Sequence, residues 1–82
     1  MDFVSLTEKI VKSIVMDSES VRVKEFDSDD QNTILIQVMV SDEDFGRVIG
    51  KGGRTANAIR TLVQASSALH ENKNVRIDID KF

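Results

Sequence analysis

Arg47-Val48-Ile49-Gly50-Lys51-Gly52-Gly53-Arg54-Thr55 is the stretch on which the reading of this chain turns. Phe45, Val48 and Ile49 lie at i, i+3 and i+4, forming one apolar face of a short helix that the glycines stop. A second helical pattern starts at Arg54. Two helices are therefore joined by a four-residue turn, Gly50 to Gly53, that is three-quarters glycine. Glycine is needed where φ is positive or where another backbone must come close. The free N–H groups and positive dipole end of the second helix point into the same turn. Lys51 sits in it, Arg54 follows it and Arg47 lies one turn before it. The combination suits an anion held against the backbone.

Outward from the turn, periodicity assigns the rest of the chain. The second helix runs from about Arg54 to Leu69, with Ile59, Leu62, Val63, Ser66 and Leu69 along its face and the small Ala56, Ala65 and Ala68 allowing close packing. His70 to Asn74 is a polar loop. Val75, Ile77 and Ile79 then alternate with charged residues as a half-buried strand. On the other side, Ser41 is the N-cap of the short helix, and Asp42, Glu43 and Asp44 suit the positive end of its dipole. Thr33 to Val40 is β-branched and apolar on both faces, as expected of a central, covered strand. Asp27 to Asn32 is a turn, and Val21 and Val23 alternate in a strand over Ser20–Phe26. Phe3, Leu6, Ile10 and Ile14 trace an N-terminal amphipathic helix, capped either by Asp2 or by the box Ser5-Leu6-Thr7-Glu8. The order α-β-β-α-α-β predicts an α+β fold with helices packed on one sheet face. Right-handed crossover allows the last two strands to be parallel and adjacent.

Composition bounds the function. One domain, residues 1–82, is the default at this length, and 40% apolar residues supply one modest core. The net charge of −3 excludes a uniformly basic protein. Its distribution matters more. Phe45 to His70 holds Arg47, Lys51, Arg54 and Arg60 with no acid, a local balance of +4 against −7 for the remainder. There is no Cys and only one His, so thiolate and histidine-cluster metal sites are excluded, and a reducing, cytoplasmic home is expected. No run is long enough to span a bilayer, and no signal peptide is visible. The acidic clusters 27–30 and 42–44 lack calcium-loop spacing and read as a turn and a helix cap. His70 has no nucleophile or second acid arranged around it, which argues against an enzyme, and no cofactor motif is present. A Walker A loop starting at Gly46 would need glycine where Lys51 stands, and a dinucleotide fingerprint would have to follow a strand.

The turn, bounded by glycines and preceded by Val48-Ile49, resembles the G-x-x-G loop of KH domains, which clamps the backbone of about four nucleotides. The element order is that of the type II KH fold, with a three-stranded mixed sheet and three helices on one face. At this length the chain resembles the small bacterial single-KH-domain RNA-binding proteins of the KhpA family. Gly46 to Thr55, continuing to Ala58-Ile59-Arg60, is the specific part of that likeness. The resemblance implies that Gly50, Lys51, Gly52 and Gly53 contact phosphates of single-stranded RNA, with Arg54 flanking the backbone. It also implies that Val48 and Ile49 lie near an apolar base-binding groove. Arg47 and Arg60 rest on charge more than on motif position, and Arg60 reads by default as a solvated helix position. The expected function is an RNA chaperone or post-transcriptional regulator, without catalysis. Expected partners are single-stranded RNA, a larger KH-containing protein of the KhpB type and a second copy of the chain. The rival reading is a protein-interaction module that dimerises through the loop and long helix, with RNA incidental.

Overall fold

The computed structural model describes residues 2–82. Helix α1 spans Phe3–Lys12, strand β1 Arg22–Phe26, β2 Thr33–Val40, α2 Asp42–Ile49, α3 Arg54–His70 and β3 Asn74–Lys81. Short 3₁₀ turns at Ser18–Ser20 and Lys51–Gly53 complete the order, which is the expected α-β-β-α-α-β. The sheet order is β1-β2-β3, with β1 antiparallel and β3 parallel to the central β2. The connection from β2 to β3 is the helical pair α2–α3, and this crossover is what permits a parallel neighbour.

Asp2 is the N-cap of α1. Its carboxylate accepts the N–H groups of Val4 and Ser5, and the Ser5 hydroxyl also donates to it at 2.7 Å. Ser5 thus supports the cap and does not form one. The helix ends at Lys12, yet Ile14 and Val15 still pack against the core. The turn between β1 and β2 is held by Asp30, whose side chain accepts the Asn32 N–H at 2.8 Å and the Thr33 hydroxyl at 3.0 Å.

Ile34, Ile36, Val38 and Val40 of β2 point into one core with Phe3, Val11, Val48, Ile59, Val63 and Ile77. All three helices lie on that side. The alternate residues Thr33, Leu35, Gln37 and Met39 are only half-buried, on a sheet face that no helix covers. The expected central strand is central, but it is covered on one face only.

The face of α3 also differs from expectation. Its buried residues are Ala56, Ile59, Val63 and Ser67, whereas Leu62 is 51% and Leu69 83% exposed. Ser67 is buried because it has work there. Its hydroxyl donates to the Lys73 carbonyl at 2.8 Å, a carbonyl that Gln64 also reaches at 3.1 Å, while Gln64 Oε1 accepts the Val75 N–H at 2.8 Å. These bonds dock the end of α3 on the start of β3. They orient the helix against the pull of its second apolar stripe.

Candidate nucleic-acid interface

Three glycines of the loop have positive φ: Gly50 (76°), Gly52 (65°) and Gly53 (81°). They are not equivalent. Gly50, with ψ 174°, occupies a region essentially reserved for glycine. A Cβ there would also run into the Thr55 side chain and come within 2.9 Å of the Thr55 backbone nitrogen. Gly50 thus lets α2 end directly against the first turn of α3. Gly52, with ψ 19°, is left-handed but open, since a Cβ there would meet nothing within 4 Å. The turn is closed by the Gly53 N–H on the Gly50 carbonyl at 3.2 Å.

Gly53 is the N-cap of α3 and provides no side-chain cap, and the first turn carries no acid. The first N–H groups of this 17-residue helix therefore have no side-chain acceptor, and that of Arg54 bonds the Lys51 carbonyl within the turn. Lys51 and Arg54 are both exposed beside them, and neither is in an ion pair among the described residues. A positive dipole end with no acidic side chain near it and two cations outside any ion pair suit this surface to an anion.

The flanking residues separate into different duties. Val48 is fully buried in the core and fixes α2 in place; it offers no surface to a ligand. Ile49 is half-buried and lies outside the cluster of side chains packed on the core, so it presents apolar surface next to Gly50. The Nε of Arg47 lies 3.6 Å from Asp44 Oδ1, so its charge is shared with an acid. Arg60 is not a solvated position. Its Nε donates to the Ile77 carbonyl of β3 at 3.0 Å, and its Nη1 donates to Asn57 at 3.3 Å. His70 Nδ1 bonds the Ser66 carbonyl at 2.8 Å, within its own helix.

A family sequence model described as KhpA/KhpB, KH domain, matches residues 4–79. The chain belongs to this family. The RNA-binding protein KhpA of Clostridium perfringens is 47% identical over 74 residues, covering 90% of this chain and 95% of the relative. The RNA-binding protein KhpA of Thermotoga maritima is 36% identical over 74 residues, covering 90% and 93%. Among solved structures, Era in complex with MgGDPNP and nucleotides 1506–1542 of 16S ribosomal RNA matches with a TM-score of 0.70 at 16% identity. That match covers 96% of this KH domain and 29% of the Era chain, and at such identity it speaks for the fold alone.

One residue of this KH domain has a larger part than its sequence position indicates. Asp44 is buried, and its carboxylate accepts the backbone N–H groups of Met16 and Asp17, each at 3.0 Å. The Ser41 hydroxyl donates to it at 3.0 Å. The two backbone hydrogen bonds, followed by those of Ser41 and the charge of Arg47, hold its carboxyl below the ordinary 3.8 despite burial. The residue anticipated as one of three dipole-complementing acids also ties the segment after α1 to the start of α2. Nothing local in the sequence signals a bond across 28 positions.

Proposed function

We propose that this KhpA/KhpB-type KH domain binds single-stranded RNA across the Gly50–Gly53 loop and acts as a non-catalytic RNA chaperone or post-transcriptional regulator in the cytoplasm. The observation that carries the reading is the side-chain-uncapped N-terminus of α3, entered through three positive-φ glycines and flanked by the exposed Lys51 and Arg54. Phosphates lie on the backbone of Gly50, Lys51, Gly52 and Gly53, with Lys51 and Arg54 as counter-charges and Ile49 as the nearest apolar surface for a base. Val48 positions α2, and Arg47 adds a charge partly neutralised by Asp44. Family membership and the relatives' name, RNA-binding protein, support the same reading. With no Trp or Tyr in the chain, base stacking contributes little, and affinity rests on phosphate contacts with weak base preference.

The double variant Lys51→Asp/Gly52→Asp tests this. Gly52 has open space around it, and Asp is among the residues that tolerate the left-handed region, so the fold persists by circular dichroism. Retention of a short labelled single-stranded RNA falls to background. Unchanged retention by the folded variant overturns the proposal. In the wild type, binding through Z phosphates weakens with salt at a log–log slope of about −0.7Z.

A second reading, a protein-interaction module, is favoured by a separate observation. Ala58, Leu62, Ala65 and Leu69 form an exposed stripe on the outer side of α3, at the spacing of a helix-pairing seam. This stripe suits a helix of a larger KH-containing protein of the KhpB type. The two readings coexist in one molecule, since the stripe and the loop are different surfaces.

A further inference from the structure

The chain has four Phe and no Tyr or Trp, and none of the four falls between Gly46 and Lys81. The glycine loop therefore has no aromatic neighbour in sequence. Phe3 is buried and Phe45 packs against the core. The other two, Phe26 and Phe82, are 48% and 66% exposed, and both line one shallow cavity of about 320 Å³. That cavity lies on the sheet face that no helix covers. Strand register puts Phe26 in the row Phe26–Leu35–Arg76, at one end of the face. Phe82 follows Asp80 of the row Arg22–Met39–Asp80 at the other end, and its N–H donates to the Val40 carbonyl at 3.1 Å. Arg22, Lys24, Gln37 and Met39 complete the lining, so the cavity holds two cations, an amide, a thioether and no acid. Among the described residues, neither Arg22 nor Lys24 is in a salt bridge. Arg22 is held without being neutralised, its Nη1 donating to the carbonyls of Glu19 and Val21 at 2.7 and 2.9 Å. Asp78 and Asp80 stand on β3, two strand spacings or about 9–10 Å from β1, and do not line the cavity. The face is polarised, cationic along β1 and acidic along β3.

We infer that this cavity is a second RNA contact, where one unpaired base stacks on Phe26 and Phe82 and the adjoining phosphates follow β1 past Arg22 and Lys24. The inference rests on the proposed RNA-binding function and adds to it the stacking that the loop lacks. Exposed aromatics on an open sheet face serve as platforms for single-stranded bases, because every base has a π-face. The Gln37 amide offers both a donor and an acceptor to a base edge, and the polarisable sulfur of Met39 suits an aromatic neighbour. Arg22 and Lys24 are two strand residues apart, about 6.5–7 Å, on the scale of one nucleotide step. The acids of β3 repel phosphate and keep the RNA backbone on the β1 side. One stacked base and two phosphates bind weakly alone. The site therefore acts by avidity, on strands already held at the loop.

Oligoadenylate of about 12 nucleotides is the probe, long enough for a single-strand site and rich in stacking surface. In the wild type it shifts the amides of Lys24, Gln37 and Met39 as well as those of the loop. Phe26→Ala/Phe82→Ala lowers its affinity about fivefold or more, the alanine-substitution value of one stacked base. Phe26→Leu/Phe82→Leu keeps apolar bulk without the rings and loses as much, whereas Phe26→Tyr/Phe82→Tyr retains the affinity. Arg22→Glu/Lys24→Glu lowers the salt slope, by about 0.7 for each phosphate contact removed. Wild-type amides on β1 and β2 that do not move overturn the inference. So does unchanged affinity in the folded alanine and leucine variants. Polyglutamate moving these amides where oligoadenylate does not assigns the cavity to an acidic protein segment, and also overturns it. Should a variant fail to fold, the wild-type shift map decides. The loop variant Lys51→Asp/Gly52→Asp keeps the two readings apart. At millimolar oligoadenylate its Gln37 and Met39 amides still shift, although filter retention is lost. A silent sheet beside a responding loop defeats this inference alone, and full retention by the loop variant defeats the loop reading alone.

Discussion

The glycine loop joins the C-terminus of α2 to the N-terminus of α3, and the N-termini of these two helices are finished in opposite ways. At α2, Ser41 caps the helix, Asp42, Glu43 and Asp44 fill the first turn, and the Asp44 carboxylate reaches back to the backbone of Met16 and Asp17. That dipole end is met by side chains of the protein itself. At α3, the cap is Gly53, the first turn has no acid, and the nearest charges are the cations Lys51 and Arg54. The same backbone electrostatics make one terminus a structural joint and the other, on the proposed function, a receptor for anions.

Removing the joint has the largest effect. Asp44→Ala takes the acceptor from two backbone N–H groups and unties the segment after α1 from the start of α2, and it loses more stability in urea than any other substitution named here. The pH dependence has a definite sign. Because the folded carboxyl titrates below 3.8, its contribution is present above that pH and is lost as pH falls through the lower folded value. A denaturation series should therefore show Asp44→Asn less stable than wild type at neutral pH, with the two curves converging below about pH 4. Asp2, also lowered, chiefly by the Ser5 hydroxyl, remains in both proteins and does not contribute to that gap.

Gly50→Ala comes next, and it attacks the loop that both helices share. It places a side chain in a glycine-only conformation and against the Thr55 backbone. The expected loss is about 2–4 kcal/mol, from backbone strain and overpacking together. Thermal denaturation of Gly50→Ala beside Gly52→Ala measures the asymmetry, since Gly52 meets no obstacle and costs only about 1 kcal/mol for its left-handed backbone. Equal losses at the two positions would break the distinction drawn between a glycine needed for packing and one needed only for backbone freedom.

A smaller change converts one terminus toward the other. Arg54→Glu gives α3 an acid in its first turn, as α2 has. The helix dipole then favours the variant by about 0.3–1 kcal/mol in chemical denaturation. On the proposed function, retention of single-stranded RNA moves the other way, falling roughly tenfold or more as a phosphate contact is replaced by repulsion. Opposite signs in the two measurements are the test. A fall in both would mean that Arg54 is structural.

Much of this was legible in the sequence, for physical reasons that differ between elements. The helices and strands were readable because Val48 and Ile49, or Val75, Ile77 and Ile79, repeat at the period of the element they occupy. The loop was readable because positive φ leaves few alternatives to glycine. The face of α3 was not, because two apolar stripes compete on it, and the stripe that wins contains Ser67 while the loser contains Leu62 and Leu69. The bonds to Lys73 favour the first. Asp44 and Arg60 were read by their local roles, a first-turn acid and a solvated helix position. Their actual partners, the backbone at 16–17 and the Ile77 carbonyl, are supplied by tertiary structure.

The mildest substitution bears on how close a ligand comes to α2 itself. Gly46 sits inside that helix with ordinary helical backbone, it is exposed, and a Cβ there would touch nothing within 4 Å. By folding physics alone, glycine is a poor choice at this position, and Gly46→Ala stabilises the domain by about 0.5–1 kcal/mol. A scan of thermal stability checks that gain. The same variant then reports on the surface between the two contrasted termini. If RNA stays on the α3 side of the loop, its affinity for Gly46→Ala equals that of the wild type. If the strand also runs along α2, the added methyl stands in its path, and affinity falls while stability rises. The first outcome confines the anion site to the uncapped terminus of α3. The second extends it across the loop onto the helix whose own N-terminus is already satisfied.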